Sequence, residues 1–569
     1  AFTQRDPNIQ SLTQGNELAS LLLGYANSGS AQIARPLSTF VNYYAGYVHD
    51  DFRFSQKLTL NIGLRYEYEQ GLQERDNQLT VGFDRSVASP LQASGLNLRG
   101  GLLYAGVDDN PTQQVRPSKT KFGPRIGFAY SLSDKTTIRA GYGVFWAPPV
   151  FAFSVTGIGA LGFSSTTSMV ASTDGNQTPA STLSNPFPNG LVQPTGNSLG
   201  LLTQIGQTVD FVDQDRRAPY VQQYSVDLQH ELPGAIALSV SYVGSRGTHL
   251  QIGGINDGVV KINQITSEQL ALGSAFLQTR VTNPFPAEYR RGVLSGATIE
   301  RRQLLRPFPQ FGDINMHGSS GGKSFYNSGT IKAQKRLSRG LTFLTSYTFS
   351  RMLDNIIGQS NFYSSTSNNL VNSYNLAAEY GLSSVDTPHR YLMSGMFELP
   401  FGRGRSFLSN SSVIDKFVGG WQINAIGIYQ SGFPLSITQN TNNTNAFSGT
   451  QRPNAVAGVS AATSGSVTDR IDNYLNRDAF TQAASFTFGN LARTIDVRTP
   501  AHRNWDIGLL KNTMIGENFG VQFRVEAINA LNTPTFRAPN TTFGSENFGK
   551  ITSQANFARV IQLSLRLFW

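Results

Sequence analysis

Apolar and polar residues alternate with a period of two in roughly thirteen stretches of this 569-residue chain. In GLTFLTSYTFS (340–350), Leu341, Phe343, Tyr347 and Phe349 share one face, and Thr342, Ser346, Thr348 and Ser350 share the other. In LTLNIGLRYEYE (58–69), Leu58, Leu60, Ile62, Leu64, Tyr66 and Tyr68 oppose Thr59, Asn61, Gly63, Arg65, Glu67 and Glu69. The final stretch, RVIQLSLRLFW, sets Ile561, Leu563, Leu565, Leu567 and Trp569 against Gln562, Ser564 and Arg566. Successive side chains of a strand point to opposite faces, so each stretch has one apolar and one polar wall. A helix would scatter the same residues around its surface. Similar stretches sit near 38–54, 122–133, 135–146, 219–232, 235–250, 324–337, 388–399, 419–432, 502–513 and 519–531.

Many of these strands exceed the roughly 5–6 residues usual in globular sheets and match the about 9–11 residues a tilted strand needs to cross a bilayer. Short turns near 55–57, 133–134, 233–234, 338–339 and 514–517 alternate with long connections near 70–121, 147–218, 251–323, 354–387, 433–500 and 532–556. One connection, 400–418, is intermediate. This is the rhythm of an outer-membrane barrel, with short periplasmic turns and long extracellular loops. The expected fold is all-β: an antiparallel transmembrane β-barrel wall of roughly 13–14 strands. Counting back in pairs from Trp569 starts the first strand on the outside, whereas such barrels have even strand numbers and begin in the periplasm. Residues 38–569 are therefore expected to be the C-terminal part of a larger barrel, with 1–37 the tail of an extracellular loop. The first residues, AFTQRDPN, lack an initiator Met and an apolar leader, so a removed signal peptide or further upstream sequence is expected.

Several runs resemble TonB-dependent outer-membrane transporters. NYYAGYVHDDFRFSQKLTLNIGLRYEY (42–68) is similar to a barrel hairpin of that family, and KFGPRIGFAYSLSDKTTIRAGYGVFWAPP (121–149) to the next one. PYVQQYSVDLQHELPGAIALSVSYVGSRGTHL (219–250), DTPHRYLMSGMFELPFGRGR (386–405) and GGWQINAIGIYQSGFPLSI (419–437) resemble its Oar-like branch. The resemblance implies a barrel of about 22 strands around a plugged lumen. It also implies an N-terminal plug and a TonB-pairing segment, neither of which this sequence carries. About nine strands are missing by subtraction from that number.

Composition narrows the alternatives. Charged residues are 14% of the chain, aromatics 11%, and Gly 56 of 569. Low charge with a mean hydropathy of −0.23 excludes a disordered chain and a helical bundle, and fits two-faced strands. Cysteine is absent, so no disulfide, thiolate site or cysteine nucleophile exists. No apolar run reaches the about 18 residues of a membrane helix. The net charge of +10 comes from dispersed Lys and Arg without a basic block, so nucleic acid is not an expected partner.

If the apolar wall faces lipid, the polar wall faces the lumen. Its charged candidates are Arg65, Glu67, Arg125, Arg139, Lys332, Arg336, Arg524, Glu526 and Arg566, either as a channel wall or as cross-strand ion pairs that hold the sheet. Phe52, Phe54, Phe349, Phe397, Trp421, Trp505 and Trp569 lie near strand ends, where aromatic girdles form. Phe568 and Trp569 resemble the terminal aromatic signal read by the barrel-assembly machinery.

Catalytic motifs are weak. GIGALG (157–162) fits G-x-G-x-x-G without a strand–helix unit, and GSSGG (318–322) and GNSLG (196–200) fit G-x-S-x-G without a following helix. The histidines at 49, 230, 249, 317, 389 and 502 are dispersed, and neither Asp108 with Asp109 nor Asp213 with Asp215 has calcium-loop spacing. No catalytic centre, cofactor or metal is expected.

The function implied is that of an outer-membrane receptor taking part in energy-coupled uptake or export of a bulky ligand. Its partners would be outer-membrane lipid, the TonB complex through the missing N-terminal part, and the assembly machinery. The ligand, for which a carbohydrate or peptide is conceivable, would meet loops 147–218, 251–323 and 433–500, rich in Asn, Ser, Thr, Gln and aromatics. The competing reading is a surface structural or adhesion protein that transports nothing. An outer-membrane hydrolase would require a Ser-His-acid cluster near Ser198 or Ser320.

Overall fold

The computed structural model describes residues 17–147, 159–173, 178–252, 260–356, 370–402, 404–408, 412–446, 449, 451–515 and 518–569. Thirteen long strands pair antiparallel, each with its neighbours in sequence, in one continuous sheet. They are β1 (Tyr43–Arg53), β2 (Leu58–Glu69), β3 (Lys121–Ser133), β4 (Thr136–Trp146), β5 (Tyr220–Leu232), β6 (Ile236–Leu250) and β7 (Gly322–Ser338). The order continues with β8 (Leu341–Asp354), β9 (His389–Glu398), β10 (Trp421–Gln430), β11 (His502–Ile515), β12 (Phe519–Ile528) and β13 (Val560–Phe568). A two-residue strand, Gly381–Leu382, extends the sheet beside β8. Strands run from 9 residues in β13 to 17 in β7, enough to cross a bilayer. All thirteen stretches of alternation became strands. The first is shorter than expected, because Thr39–Phe40 leaves the sheet and pairs with Gln73–Glu74 instead.

Turn chemistry sets the register at one end. Ser338 pairs with Leu341, leaving Arg339 (φ 52°) and Gly340 (φ 76°) as a two-residue loop. Two left-handed residues in succession make the turn whose twist matches that of the flanking strands. The intermediate connection between β9 and β10 carries a helix, Ser412–Val418.

The long connections are themselves folded. The hairpin of Thr80–Ala88 with Arg99–Tyr104 packs near a three-stranded sheet of Val209–Val212, Ile314–His317 and Val260–Lys261. Phe83 lies 5.6, 5.1 and 5.8 Å from the rings of Phe211, Phe308 and Phe311, at the heart of an apolar cluster with Ile205, Phe285 and Leu294. A second cluster gathers Leu435, Ile437, Phe480, Phe543 and Phe548 from the last two long connections. Among the described residues, none of the fully buried apolar side chains belongs to the thirteen strands. The hydrophobic effect in water therefore acts on the loops, and the sheet keeps its apolar side outward.

Among the described residues, strands β1 and β13 each pair on one side only. Within the expected loop tail, Ser30–Ala34 pairs with Ser164–Ser168 of a long connection.

Candidate functional site: the polar face and its loop cap

Pairing places facing residues on the same side of a sheet, so the register can be walked from strand to strand. Tyr47 opposes Arg65, Arg65 opposes Gly123, Arg125 opposes Gly143, and Gly143 opposes Gln223. Arg139 opposes Asp227, Asp227 opposes Ser241, and Ser239 opposes Lys332. At the far end Gly508 opposes Glu526, and Gln522 opposes Arg566. Eight of the nine charged candidates fall on this one polar face, along with Phe568, which faces Gly520; Arg336 lies in the register shift between Lys335 and Ser338 of β7.

Only some of them meet. Arg65 Nε donates to Glu67 Oε1 at 2.6 Å and its Nη2 donates to Tyr43 Oη at 2.9 Å. Arg524 and Glu526 are 3.7 Å apart. Both of these ion pairs run along a strand, two residues apart, whereas Lys121 of β3 and Glu69 of β2 pair across neighbouring strands. Arg139 reaches Gln229 at 3.5 Å, and Arg125 lies 4.8 Å over the ring of Phe145. Among the described residues, Lys332, Arg336 and Arg566 make no ion pair.

The polar face encloses a hollow of about 750 Å³ whose wall runs from His49 of β1 to Met352 of β8. A single cavity touched by both ends of eight consecutive strands requires this face to be the concave one. Glycine makes the room. Gly127 and Gly141 face each other across β3 and β4, and a methyl at Gly141 would have no atom closer than 3.8 Å. Asn61, Arg125, Gln223, Ser245 and Tyr326 ring the floor. A smaller hollow of about 260 Å³ beside Gly63 lies between Arg65 and Arg125. Sequence reasoning found Arg65 and Arg125 but missed His49, Asn61, Gln223 and Tyr326. The available signal was glycine recurring at the polar positions 63, 123, 127, 141 and 143 of adjacent strands.

Where strands pass into the long connections, and within those connections, largely buried ion pairs that sequence reasoning also missed tie the chain together. Lys121 Nζ is 3.1 Å from Glu69 Oε2, with both side chains buried. Arg498 meets Asp386 at 2.6 Å, Arg452 meets Glu379, and Arg493 meets Asp354. Burial pulls the Arg216 guanidinium down to about 10 against the attraction of Asp213 and Glu69. Burial pushes the Tyr104 hydroxyl up to about 12, although Thr203 Oγ1 accepts its proton at 2.8 Å. Burial also opposes ionisation of Asp210, but hydrogen bonds from His317 and Asn315 outweigh it and hold its carboxyl below the usual range.

The loops expected to meet a ligand bury several of their aromatics, Phe211, Phe285, Phe308 and Phe480 among them, in the two clusters. Ser198 Oγ donates to the Thr195 carbonyl at 2.7 Å, an ordinary turn bond. Among the described residues, no three His, Asp or Glu side chains converge as a metal site. GIGALG begins outside the described residues.

The opposite face decides the environment. Leu563 is 66% exposed, Ile62 53% and Tyr347 40%, and the same register joins them to Ile126, Val240 and Ile331 in a band across the sheet. Phe52, Phe349, Phe397, Trp421 and Trp505 flank this band by register, near strand ends. Soluble monomers rarely expose a continuous apolar band, whereas a lipid-facing wall requires one. The family described as "Outer membrane beta barrel domain" matches residues 1–562. The chain belongs to this outer-membrane β-barrel family. Its location is the outer membrane, and the exposed band is its lipid-facing surface.

Solved structures similar to the barrel include the outer membrane transporter YddB from Escherichia coli, at 11% identity and a TM-score of 0.42, covering 93% of this chain and 45% of that one. FpvA of P. aeruginosa, bound to heterologous pyoverdines, matches at 10% identity and a TM-score of 0.38, covering 94% and 39%. The ferric-catecholate import receptor Fiu from E. coli K12 matches at 10% and 0.37, covering 94% and 45%. The barrel described here thus spans less than half the length of each. No curated protein matches the chain.

Proposed function

We propose that this barrel is the C-terminal wall of a TonB-dependent, Oar-like outer-membrane receptor that takes part in energy-coupled uptake or export of a bulky ligand. The observation that carries the reading is the glycine-floored hollow on the concave polar face. A wall that only anchored surface loops would have no need to keep side chains out of its interior. Residues 38–569 would then be barrel and 1–37 the end of an extracellular loop, and the full protein would add a plug and a TonB-pairing segment. The outer edges of β1 and β13, which find no partner among the described residues, support this, since an open sheet edge in lipid leaves backbone groups unsatisfied at several kcal/mol each. Phe568 and Trp569 would serve as the assembly signal, and the charged residues of the polar face would line the path around the plug.

The test is cross-linking of the full-length protein to the inner-membrane TonB complex in living cells, with and without a proton-motive-force uncoupler. An energy-dependent cross-link supports the receptor reading. Normal assembly in the outer membrane with no cross-link in either state sinks it and leaves a surface adhesion role.

A further inference from the structure

The loop cap contains a polar cleft of about 430 Å³ at the seam between the connections that follow β6 and β10. Its wall is built from Arg280, Glu300, Arg302 and Arg306 on one side and Asn442 and Asn445 on the other. Two of the three guanidiniums are already matched. Arg302 Nε is 2.5 Å from Glu300 Oε2, and its Nη1 donates to Asn445 Oδ1 at 3.1 Å, bridging a sequence separation of 143 residues. Arg306 Nη1 is 2.9 Å from Asp313 Oδ1, a carboxylate that Lys261 also approaches at 3.5 Å. Arg280 differs. Its Nε and Nη2 donate to the hydroxyl and carbonyl of Thr298 at 2.9 and 2.6 Å, and among the described residues no carboxylate lies within ion-pair distance. Those two bonds fix the plane of the guanidinium and leave its remaining N–H groups for a further acceptor.

The cleft therefore offers one oriented cation not matched by a carboxylate among the described residues, Arg280, with the Ser295 hydroxyl and the side-chain amides of Asn442 and Asn445. Asn445 already accepts from Arg302 and donates to the Asn443 carbonyl, and each amide keeps hydrogen-bonding capacity for a ligand hydroxyl. Among the described residues no aromatic ring lines the cleft, and the charged fork of Arg280 favours an acid over a neutral sugar. Its volume falls within the roughly 300–1,000 Å³ of small-molecule sites. We infer that this seam binds a sugar acid, with its carboxylate on Arg280 and its hydroxyls on the two asparagines. The inference deepens the receptor reading and rests on it for its physiological sense. A ligand held there would also clamp two long loops together, because it touches both sides of the seam.

The experiment is isothermal titration of the full-length protein in detergent with glucuronate, glucose and inorganic phosphate. Glucuronate is expected to bind, and glucose and phosphate to bind at least about tenfold more weakly, a difference of about 1.4 kcal/mol. Arg280→Gln is expected to weaken glucuronate about tenfold, with Arg280→Lys in between, because the charge survives but the fork does not. Arg280 is exposed, so both variants should keep the heat-modifiable gel mobility of the parent; Asn445→Ala gives a second reading from across the seam. Equal binding of glucose and glucuronate, phosphate binding as tight as glucuronate, or an unaltered Arg280→Gln variant overturns the inference. Absence of glucuronate binding with the TonB cross-link intact overturns this inference alone. Binding without the cross-link overturns the receptor reading alone.

Discussion

Arg493 and Asp354 form an ion pair of 2.5 Å although 139 residues separate them, and neither side chain is more than 1% exposed. Arg493 also donates to the carbonyls of Glu379 at 2.9 Å, Ile356 at 3.0 Å and Asp354 itself at 2.7 Å. One guanidinium thus pins the connection after β10 to the end of β8 and to the connection after it. Removing one partner of such a pair strands the other charge out of water, which costs about 3–5 kcal/mol. Arg493→Met is expected to lose that amount in urea unfolding of the vesicle-inserted protein and to open the loop cap to proteolysis. A loss below about 1 kcal/mol, the range of a surface pair, would count against the latch.

The wall was legible because each strand repeats a simple rule: Leu60, Ile62 and Leu64 on one side, Asn61 and Arg65 on the other. Period two fixes the face of a residue once the strand is known, so the charged candidates could be expected on a common face before any pairing was known, and only Arg336, in the register shift of β7, escapes that rule. The loop cap was not legible for the converse reason. Phe83 meets Phe308 and Phe311 across more than two hundred positions, and no local period announces such a contact. The hollow was half visible. Arg125 stood out by charge, but the room beside it comes from Gly127, Gly141 and Gly143, which show up only when β3 and β4 are aligned.

The two faces of β13 make a direct test of the membrane assignment. Leu563 pairs with Val525 on the apolar side, and Ser564 pairs with Arg524 on the polar side. Arginine at a lipid-facing midplane position costs about 2–4 kcal/mol, and lumen-facing positions escape that cost. Leu563→Arg is therefore expected to destabilise insertion by that amount and Ser564→Arg by much less, measured by folding into lipid vesicles. Equal effects would reject the assignment of faces.

Glu74 gives the loop cap an acid-sensitive anchor. Its Oε1 accepts the Ser38 N–H at 2.9 Å, and its Oε2 accepts those of Asp76 at 2.8 Å and Gln78 at 2.9 Å. Burial of this carboxylate favours protonation, but the N–H groups of Gln78, Ser38 and Asp76 together outweigh it and hold the carboxyl below its usual 4.5. A depressed pKa means that the stabilisation is complete above the unfolded value and is lost as pH falls through the folded one. Hydrogen exchange at Ser38 and Gln78, corrected for intrinsic rates, is expected to stay constant from neutral pH to the usual carboxylate range and to accelerate below it. Glu74→Gln should abolish that pH dependence, and a retained acid step in the variant would place its origin elsewhere.

The absence of cysteine allows the whole wall to be mapped one thiol at a time. Adjacent residues of β6 make the sharpest pair: Val240 opposes Leu228 and Ile331, whereas Ser241 opposes Asp227 and Thr330. A thiol in apolar surroundings has a raised pKa and reacts poorly with a charged reagent, while one on a watered face keeps an ordinary pKa near about 8.5. In vesicles, Ser241→Cys is expected to react with a membrane-impermeant charged maleimide, and Val240→Cys to resist it yet yield to a lipid-soluble one. The alternation should repeat at Thr330 and Ile331 of β7, because the register puts Thr330 beside Ser241 and Ile331 beside Val240. Labelling that ignores this parity, or that follows it in reverse, would mean the concave face is not the wet one, and the hollow at Gly141 could not be part of a path for any ligand.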